Sequence, residues 1–336
     1  PLRAARKASI YRHEVTEAAV RAVTAAVNRQ FEPNFKPERV PGEAHATMRQ
    51  SDRGIDWQHD DSATVLAKLN AADGFPGVAD VLFGEPCHLF DAWPEAIFKG
   101  APGSLLGHRE TAICRATADG AVWIGHVKAA GGIKLPTTLA FPAAAELPEL
   151  ALAGYWKSPT PTWQDIAYEE AAGVGFLSFE FYNGAMSTSQ CRRLTEAFAW
   201  AATRPTKVIV LRGGSDFWSN GIHLNTIEAA ESPADESWAN INAIDDLSEA
   251  ILRCERQLTV AAVGGNAGAG GCFLARATDF VWVRDGVMLN PHYKNMGNLY
   301  GSEFWTYLLP PRVGAAGAET IMRHRLPMTA AEAVKL

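Results

Sequence analysis

The spacing of apolar and polar positions changes character along the chain. Over residues 15–27, Val15, Ala18, Ala19, Ala22 and Ala26 recur near the ~3.6-residue helical period, which predicts a helix ended by a connection through Pro33, Pro37 and Pro41. A polar segment, Arg49-Gln50-Ser51-Asp52-Arg53-Gly54-Ile55-Asp56-Trp57, then leads into a helix predicted over residues 62–69, with Asp60 or Asp61 as its N-cap. From Phe75 the pattern shortens to strands over 79–83, 87–91, 111–116 and 122–127, and Asp119-Gly120 between the last two is a hairpin signal. These strands read as a small β-barrel ending near Ala140, and the Ala- and Pro-rich residues 141–161 read as a connector.

Beyond the connector, strands alternate with helices. A strand pair is expected over 166–169 and 174–181, followed by Ser187-Thr188-Ser189-Gln190, a capping box opening a helix with Cys191, Leu194, Phe198 and Ala201 on its inner face. Lys207-Val208-Ile209-Val210-Leu211 is a continuous apolar run, the mark of a strand covered on both faces. A long helix is predicted over 238–256, with Ile241, Ile244, Leu247, Ile251 and Cys254 inside. A buried strand over 258–263 delivers the glycine run Val263-Gly264-Gly265-Asn266-Ala267-Gly268-Ala269-Gly270-Gly271-Cys272 into a helix; a strand over 280–283 and a loop over 290–303 follow. The alternation predicts an α/β layered domain.

Composition narrows the classes of function. With 47% apolar and 20% charged residues the chain can bury a large core, and a net charge of −6 without Lys/Arg clustering gives no footprint for nucleic acid or an anionic membrane. The five cysteines form no Cys-x-x-Cys pair, so they read as reduced core thiols of a cytoplasmic protein, not as a disulfide framework or a metal site. No apolar run approaches the ~18 residues of a membrane span, and no signal-peptide pattern opens the chain. Beginning at Pro1 and stopping at Leu336 in mid-pattern, the sequence reads as a fragment.

A strand ending in glycines and opening into a helix aims backbone N–H groups outward, where a polarised carbonyl can accept them. The chain carries two such turns after two core strands: the run at 263–272 and Arg212-Gly213-Gly214-Ser215-Asp216-Phe217-Trp218-Ser219-Asn220-Gly221-Ile222-His223-Leu224. A pair of that kind suggests two N–H groups converging on one oxygen, an oxyanion hole.

These pieces, with Asn183-Gly184-Ala185-Met186-Ser187, resemble the crotonase (enoyl-CoA hydratase/isomerase) superfamily over residues 163–336. The resemblance implies that the N–H groups of Ile222 and Gly270, next to Gly221 and Gly271, hold the thioester oxygen of an acyl-CoA. Hydratases of that superfamily place one glutamate two residues after the glycine run and another just after a proline in a later loop. Those positions here hold Phe273 and, after Pro291, His292. Adding water across a double bond requires a paired acid and base, so ordinary hydratase chemistry is not expected. The loop from Asn290 to Trp305 supplies other titratable groups: His292, Tyr293, Lys294, Tyr300 and Glu303.

The earlier part is similar to the end of a formyltetrahydrofolate-dependent formyltransferase, on Arg53-Gly54-Ile55-Asp56-Trp57, Phe75-Pro76-Gly77 and the small β-unit. A formyltransferase module fused to a crotonase module resembles the HypX/HoxX-type hydrogenase maturation factors. The implied fold is α/β: a crotonase-like (ββα spiral) domain preceded by a small OB-like β-barrel and a helical N-terminal tail. The implied division is 1–70 as the tail of the formyltransferase catalytic domain and a linker, 71–145 as the barrel, 146–162 as a second linker and 163–336 as a C-terminally truncated crotonase-like domain.

That resemblance implies decarbonylation of formyl-CoA to carbon monoxide and CoA, as a source of CO for a nickel–iron hydrogenase. Tyr293 and Glu303 would form the acid/base pair, with His292 in support and Phe273 excluding water; which of Tyr293 and Glu303 is acid and which base stays open. Coenzyme A is then needed as formyl-CoA, formyltetrahydrofolate only by the full-length protein, and the partner would be the hydrogenase large subunit or its maturation proteins. No Asn-x-His motif precedes Trp57, so formyl transfer is not assigned to this stretch. Two other readings remain open: a crotonase-type hydratase, isomerase or hydrolase on another acyl-CoA with His292 as base, and a non-catalytic CoA-fold module docking a hydrogenase subunit.

Overall fold

A computed structural model describes residues 5–36, 39, 42–291, 301, 303–324 and 326–336. The chain divides into two compact units, 1–150 and 151–336. In the first, helix α1 (Thr16–Arg29) forms where the period predicts it, yet none of its residues is buried. Its expected inner face is mostly alanine, which favours helix but carries little apolar area to bury. Helix α2 (Ser62–Ala72) is capped by Asp61, whose carboxylate accepts the Thr64 N–H, and buries Val65, Leu69 and Ala72.

Six strands follow: β1 (Val78–Leu82), β2 (Glu85–Glu95), β3 (Leu105–Arg109), β4 (Ala112–Ala116), β5 (Ala121–Ala129) and β6 (Lys134–Pro136). They form one antiparallel sheet in the order β1-β2-β5-β4-β3, with β6 beside β5. The Arg53–Trp57 motif closes this unit. Trp57 is buried, its indole N–H donates to Asp80 at 2.7 Å, and Arg115 both stacks 4.0 Å over its ring and pairs with Asp80 at 3.1 Å.

The second unit contains β7 (Ile166–Ala171), β8 (Val174–Phe179), β9 (Val208–Arg212), β10 (Phe217–Ser219), β11 (Leu258–Val263), β12 (Asn266–Gly268), β13 (Phe280–Val283), β14 (Met288–Asn290) and β15 (Met328–Thr329). Two sheets result, one in the order β13-β11-β9-β8-β7 and one in the order β10-β12-β14-β15. Three times the chain places one strand in the larger sheet and the next in the smaller: β9 then β10, β11 then β12, β13 then β14. All neighbours within each triplet are parallel, so each return needs a crossover. This is the ββα spiral.

Helices of this unit include α3 (Thr188–Ala202), α4 (Pro233–Leu252), α5 (Gly270–Arg276), α6 (Trp305–Leu308) and α7 (Pro310–Arg323), with short helices at Leu224–Glu228 and Ala330–Ala333 besides. The Ser187/Gln190 capping box opens α3 as expected. Helix α4 starts five residues before the expected Trp238, because Ser232 caps it and Pro233 occupies its first turn. Between the helices and the larger sheet lies one apolar core including Leu177, Phe198, Ile209, Leu211, Ile244 and Leu274. The small sheet was not expected, since strands of two or three residues are too short for a period-two pattern to register.

In the first unit, Asp91 on β2 is buried in a charged cluster. His126 Nδ1 donates to it at 2.9 Å, Trp93 Nε1 at 3.0 Å, Arg6 lies 3.8 Å away, and its own N–H donates to Asp73. Burial alone would raise the Asp91 carboxyl, but the His126 hydrogen bond and charge, then Arg6 and Trp93, outweigh it and lower the pKa. A depressed carboxylate contributes stability above its unfolded value, and that contribution is lost as pH falls through the folded one. Amide protection of β2 and β5, corrected for intrinsic exchange, is therefore expected to hold between about pH 7 and 5 and to fall below about pH 4. Asp91→Asn should weaken protection already at pH 7 and flatten that dependence.

Candidate active site

The two glycine turns meet in the second unit. Gly221 sits at φ +76°, and a methyl group placed on it would come within 3.0 Å of the Gly270 nitrogen, so the two turns touch backbone to backbone. Met186 pairs with Ile222 as a parallel bridge in which the Met186 N–H donates to the Gly221 carbonyl at 2.9 Å. In such a bridge the N–H of Ile222 points to the opposite side. Gly270 is the first residue of α5, so its N–H belongs to the first turn, where no intrahelical carbonyl is available. Ala269 before it has φ +47°, a conformation L-residues rarely adopt, and its N–H is tied to the Asn290 carbonyl at 2.8 Å. Strain of this kind, on the order of 1–3 kcal/mol, persists where the surroundings over-determine it.

The turn at Gly221 is pinned by buried polar side chains. Ser219 Oγ accepts the Gly221 N–H at 3.1 Å and donates to Met186 Sδ at 3.0 Å. Asn240 on α4 is fully buried; its Oδ1 accepts the His223 N–H at 3.1 Å, and its Nδ2 donates to the Met186 carbonyl at 3.0 Å. His223 is a buried cap, its Nδ1 accepting the Thr226 N–H. Asn183 and Gly184 accept from Asn220 through their carbonyls at 2.8 and 2.7 Å.

Glu303 joins these turns. Its side chain is buried, and a methyl group on Gly270 would lie 2.0 Å from its Oε1, so the carboxylate lies directly against the Gly270 Cα. Glu303 and Phe304 have successive left-handed φ values of +44° and +57°, and the Glu303 N–H donates to Asp245 Oδ1 at 2.7 Å. Burial and then the negative charge of Glu303 push the Cys191 thiol well up. Burial chiefly, with a smaller push from Glu303, takes Cys272 to about 12 against the Asn290 backbone hydrogen bond. Both cysteines therefore stay protonated at neutral pH, which removes a thiolate nucleophile from the site.

The structure thus brings together Gly221, Ile222, Gly270, Gly271 and Glu303. Tyr293 and His292 lie outside the described residues. Phe273 is buried on α5 and lines a cavity of about 850 Å³, with Cys272, Arg276, Leu289, Pro291 and Val313 among its other walls. Neither Ile222, Gly270 nor Glu303 lines that cavity, so it adjoins a different part of α5 from the turns. Among the described residues no group of three or more His, Cys, Asp or Glu is placed to hold a metal ion. No described helix is long and apolar enough to cross a membrane.

Sequence reading missed Asn240, Asp245 and Ser219. Only Asn240 carried a signal: with Ile244, Leu247 and Ile251 it falls on the buried stripe of α4, where a polar side chain needs a partner.

Residues 172–336 match the enoyl-CoA hydratase/isomerase family, and residues 47–141 match the formyl transferase C-terminal domain. By fold and site the chain therefore joins a formyltransferase C-terminal domain to a crotonase-like domain. It is 52% identical to the hydrogenase maturation factor HoxX of Bradyrhizobium diazoefficiens, over 100% of this chain and 59% of that protein. The crystal structure of HypX from Aquifex aeolicus in complex with tetrahydrofolic acid superposes with a TM-score of 0.93 at 50% identity, covering 100% of this chain and 60% of the other. A variant of the same Aquifex protein gives a TM-score of 0.94 at 50% identity with the same coverage. The chain belongs to the HypX/HoxX family and spans about 60% of the length of these relatives.

The glycines yield a contrast. A methyl on Gly271 would lie 2.2 Å from the backbone carbonyl of Ser219, which cannot step aside, whereas on Gly270 it meets the Glu303 side chain. Gly271→Ala is expected to cost roughly 2–3 kcal/mol in denaturant unfolding. Gly270→Ala should leave the unfolding midpoint closer to wild type but displace the Glu303 carboxylate, visible as a changed position in a crystal structure of the variant.

Proposed function

We propose that the crotonase-like unit binds formyl-CoA and decarbonylates it to carbon monoxide and CoA, and that the whole protein supplies that CO for a nickel–iron hydrogenase. The observation that carries the reading is the Glu303 carboxylate lying against Gly270, next to Gly221 and Ile222, while Phe273 stands in place of the hydratase glutamate. Backbone N–H groups of Ile222 and Gly270 hold the formyl oxygen, which polarises the carbonyl. On the carbonyl carbon a formyl group carries hydrogen where any other acyl group carries carbon, and a base close to that carbon meets a proton only in the formyl case.

The reaction balances without an oxidant. The formyl C–H bond breaks, its proton passing to a base and its electron pair staying on carbon. The C–S bond breaks with its pair going to sulfur, carbon monoxide leaves, and an acid protonates the thiolate. Glu303 and Tyr293 are the pair assigned to these two proton transfers, in either order. Buried, apolar surroundings that include Phe273 keep water from the thioester. The resemblance to HypX, whose crystal structure contains tetrahydrofolic acid, supports formyltetrahydrofolate as the formyl source in the full-length protein.

Incubation with formyl-CoA is expected to release CO, measurable by the shift of the haemoglobin Soret band. Glu303→Gln and Tyr293→Phe should each slow release by about 10²-fold or more. No gas from the wild-type protein, with turnover of another acyl-CoA, would replace this reading by the general crotonase one. No turnover at all, with hydrogenase maturation intact in Glu303→Gln, would point to a docking module.

A further inference from the structure

We propose that Asp245 is the positioning residue for Glu303. The inference rests on the acid/base role of Glu303 given above. Glu303 does not sit on a regular element that could aim its side chain. It occupies a left-handed turn together with Phe304, and neither is glycine, so the turn has to be held from outside. Phe304 is secured on one side: its carbonyl accepts the N–H groups of Tyr307 and Leu308 at 2.9 Å each, and its ring packs on the core. On the other side the Glu303 N–H is secured by Asp245 Oδ1 at 2.7 Å, a short, charge-assisted hydrogen bond.

Asp245 projects from α4, the same helix that carries Asn240. Asn240 fixes the strand segment of Ile222 by holding Met186 and His223, and Asp245 fixes the turn of Glu303. One rigid helix of 20 residues thus references both the carbonyl-holding arm and the carboxylate. Without the Asp245 bond the left-handed φ at Glu303 loses a backbone restraint, and the carboxylate shifts against Gly270 while Ile222 and Gly270 stay where they are. Asp245 touches no reacting atom on this assignment; it acts through the Glu303 backbone.

The test compares Asp245→Ala, Asp245→Asn and Glu303→Gln in the purified protein, read by CO release from formyl-CoA and by amide hydrogen exchange at Glu303. Asp245→Ala is expected to lower kcat by about 10- to 100-fold with KM nearly unchanged, because the oxygen-holding arm is intact. Asp245→Asn keeps an oxygen acceptor and should recover activity to within about threefold of wild type. In the Glu303→Gln background Asp245→Ala should cause no further loss. Protection of the Glu303 amide should disappear in Asp245→Ala and persist in Asp245→Asn. Should Asp245→Ala not fold, Asp245→Ser, too short to reach the amide, takes its place.

Unchanged protection of the Glu303 amide in Asp245→Ala, or equal losses of activity in Asp245→Ala and Asp245→Asn, would overturn the assignment. If the wild-type protein releases no CO, the decarbonylase reading fails by itself. The exchange measurement then still decides whether Asp245 holds this turn.

Discussion

Everything the crotonase-like unit presents at its centre depends on two backbone turns approaching more closely than side chains allow. Gly221 stands against the Gly270 nitrogen, and Gly271 stands against the carbonyl of Ser219. These contacts dock the start of α5 onto the end of β10, and they fix where two peptide N–H groups lie relative to each other. Because the donors belong to the main chain, their position is set by the packing of strands and helix, not by a rotamer. The ββα spiral supplies that packing: each parallel strand pair in the larger sheet delivers its successor to the smaller sheet, so the turns after β9 and β11 emerge side by side.

Such a backbone arrangement has no means of its own to place acid or base. Those groups come from side chains, and the one proposed, Glu303, lies in a turn with two consecutive left-handed residues, Glu303 and Phe304. A turn of that kind is not favoured locally and is held by its neighbours, α6 through the Phe304 carbonyl and α4 through Asp245. The second support of the site is therefore the long helix α4. Its apolar stripe of Ala243, Ile244, Leu247 and Ile251 anchors it in the core, and two of its polar side chains, Asn240 and Asp245, reach the two turns.

Much of this was legible in the sequence, for identifiable reasons. The strands with continuous apolar runs, such as Val208–Arg212 and Leu258–Val263, and the Ser187/Gln190 capping box depend on local pattern and appear where that pattern places them. The glycine turns were legible because a glycine at a close approach leaves a mark in the sequence. What could not be read was contact between distant segments. That Asn240 holds Met186 and His223, or that Asp245 meets the Glu303 amide, depends on tertiary proximity between residues far apart in the chain. The strand Asn266–Gly268 was hidden within the glycine run, since its pairing with β10 and β14, not its residue types, makes it a strand. The exposed helix Thr16–Arg29 marks the opposite limit: periodicity located the helix, but an alanine face does not state whether anything packs on it.

The position after the glycine run explains why the carboxylate arrives from elsewhere. A glutamate at residue 273 would be carried rigidly on α5, about one turn from Gly270. Phe273 removes that possibility: its side chain is buried and lines the cavity beside α5. Glu303 instead lies against Gly270 itself, close to the donor and not one turn beyond it. On the proposed reading this shift is what changes the chemistry. On that reading the backbone donors are indifferent to what the acyl carbon bears, so the selection falls to the base, which meets a proton on that carbon only when the acyl group is formyl. Deprotonating that carbon leaves an electron pair on a carbonyl that already bears a leaving thiolate. The way forward from there is release of carbon monoxide, not addition of water.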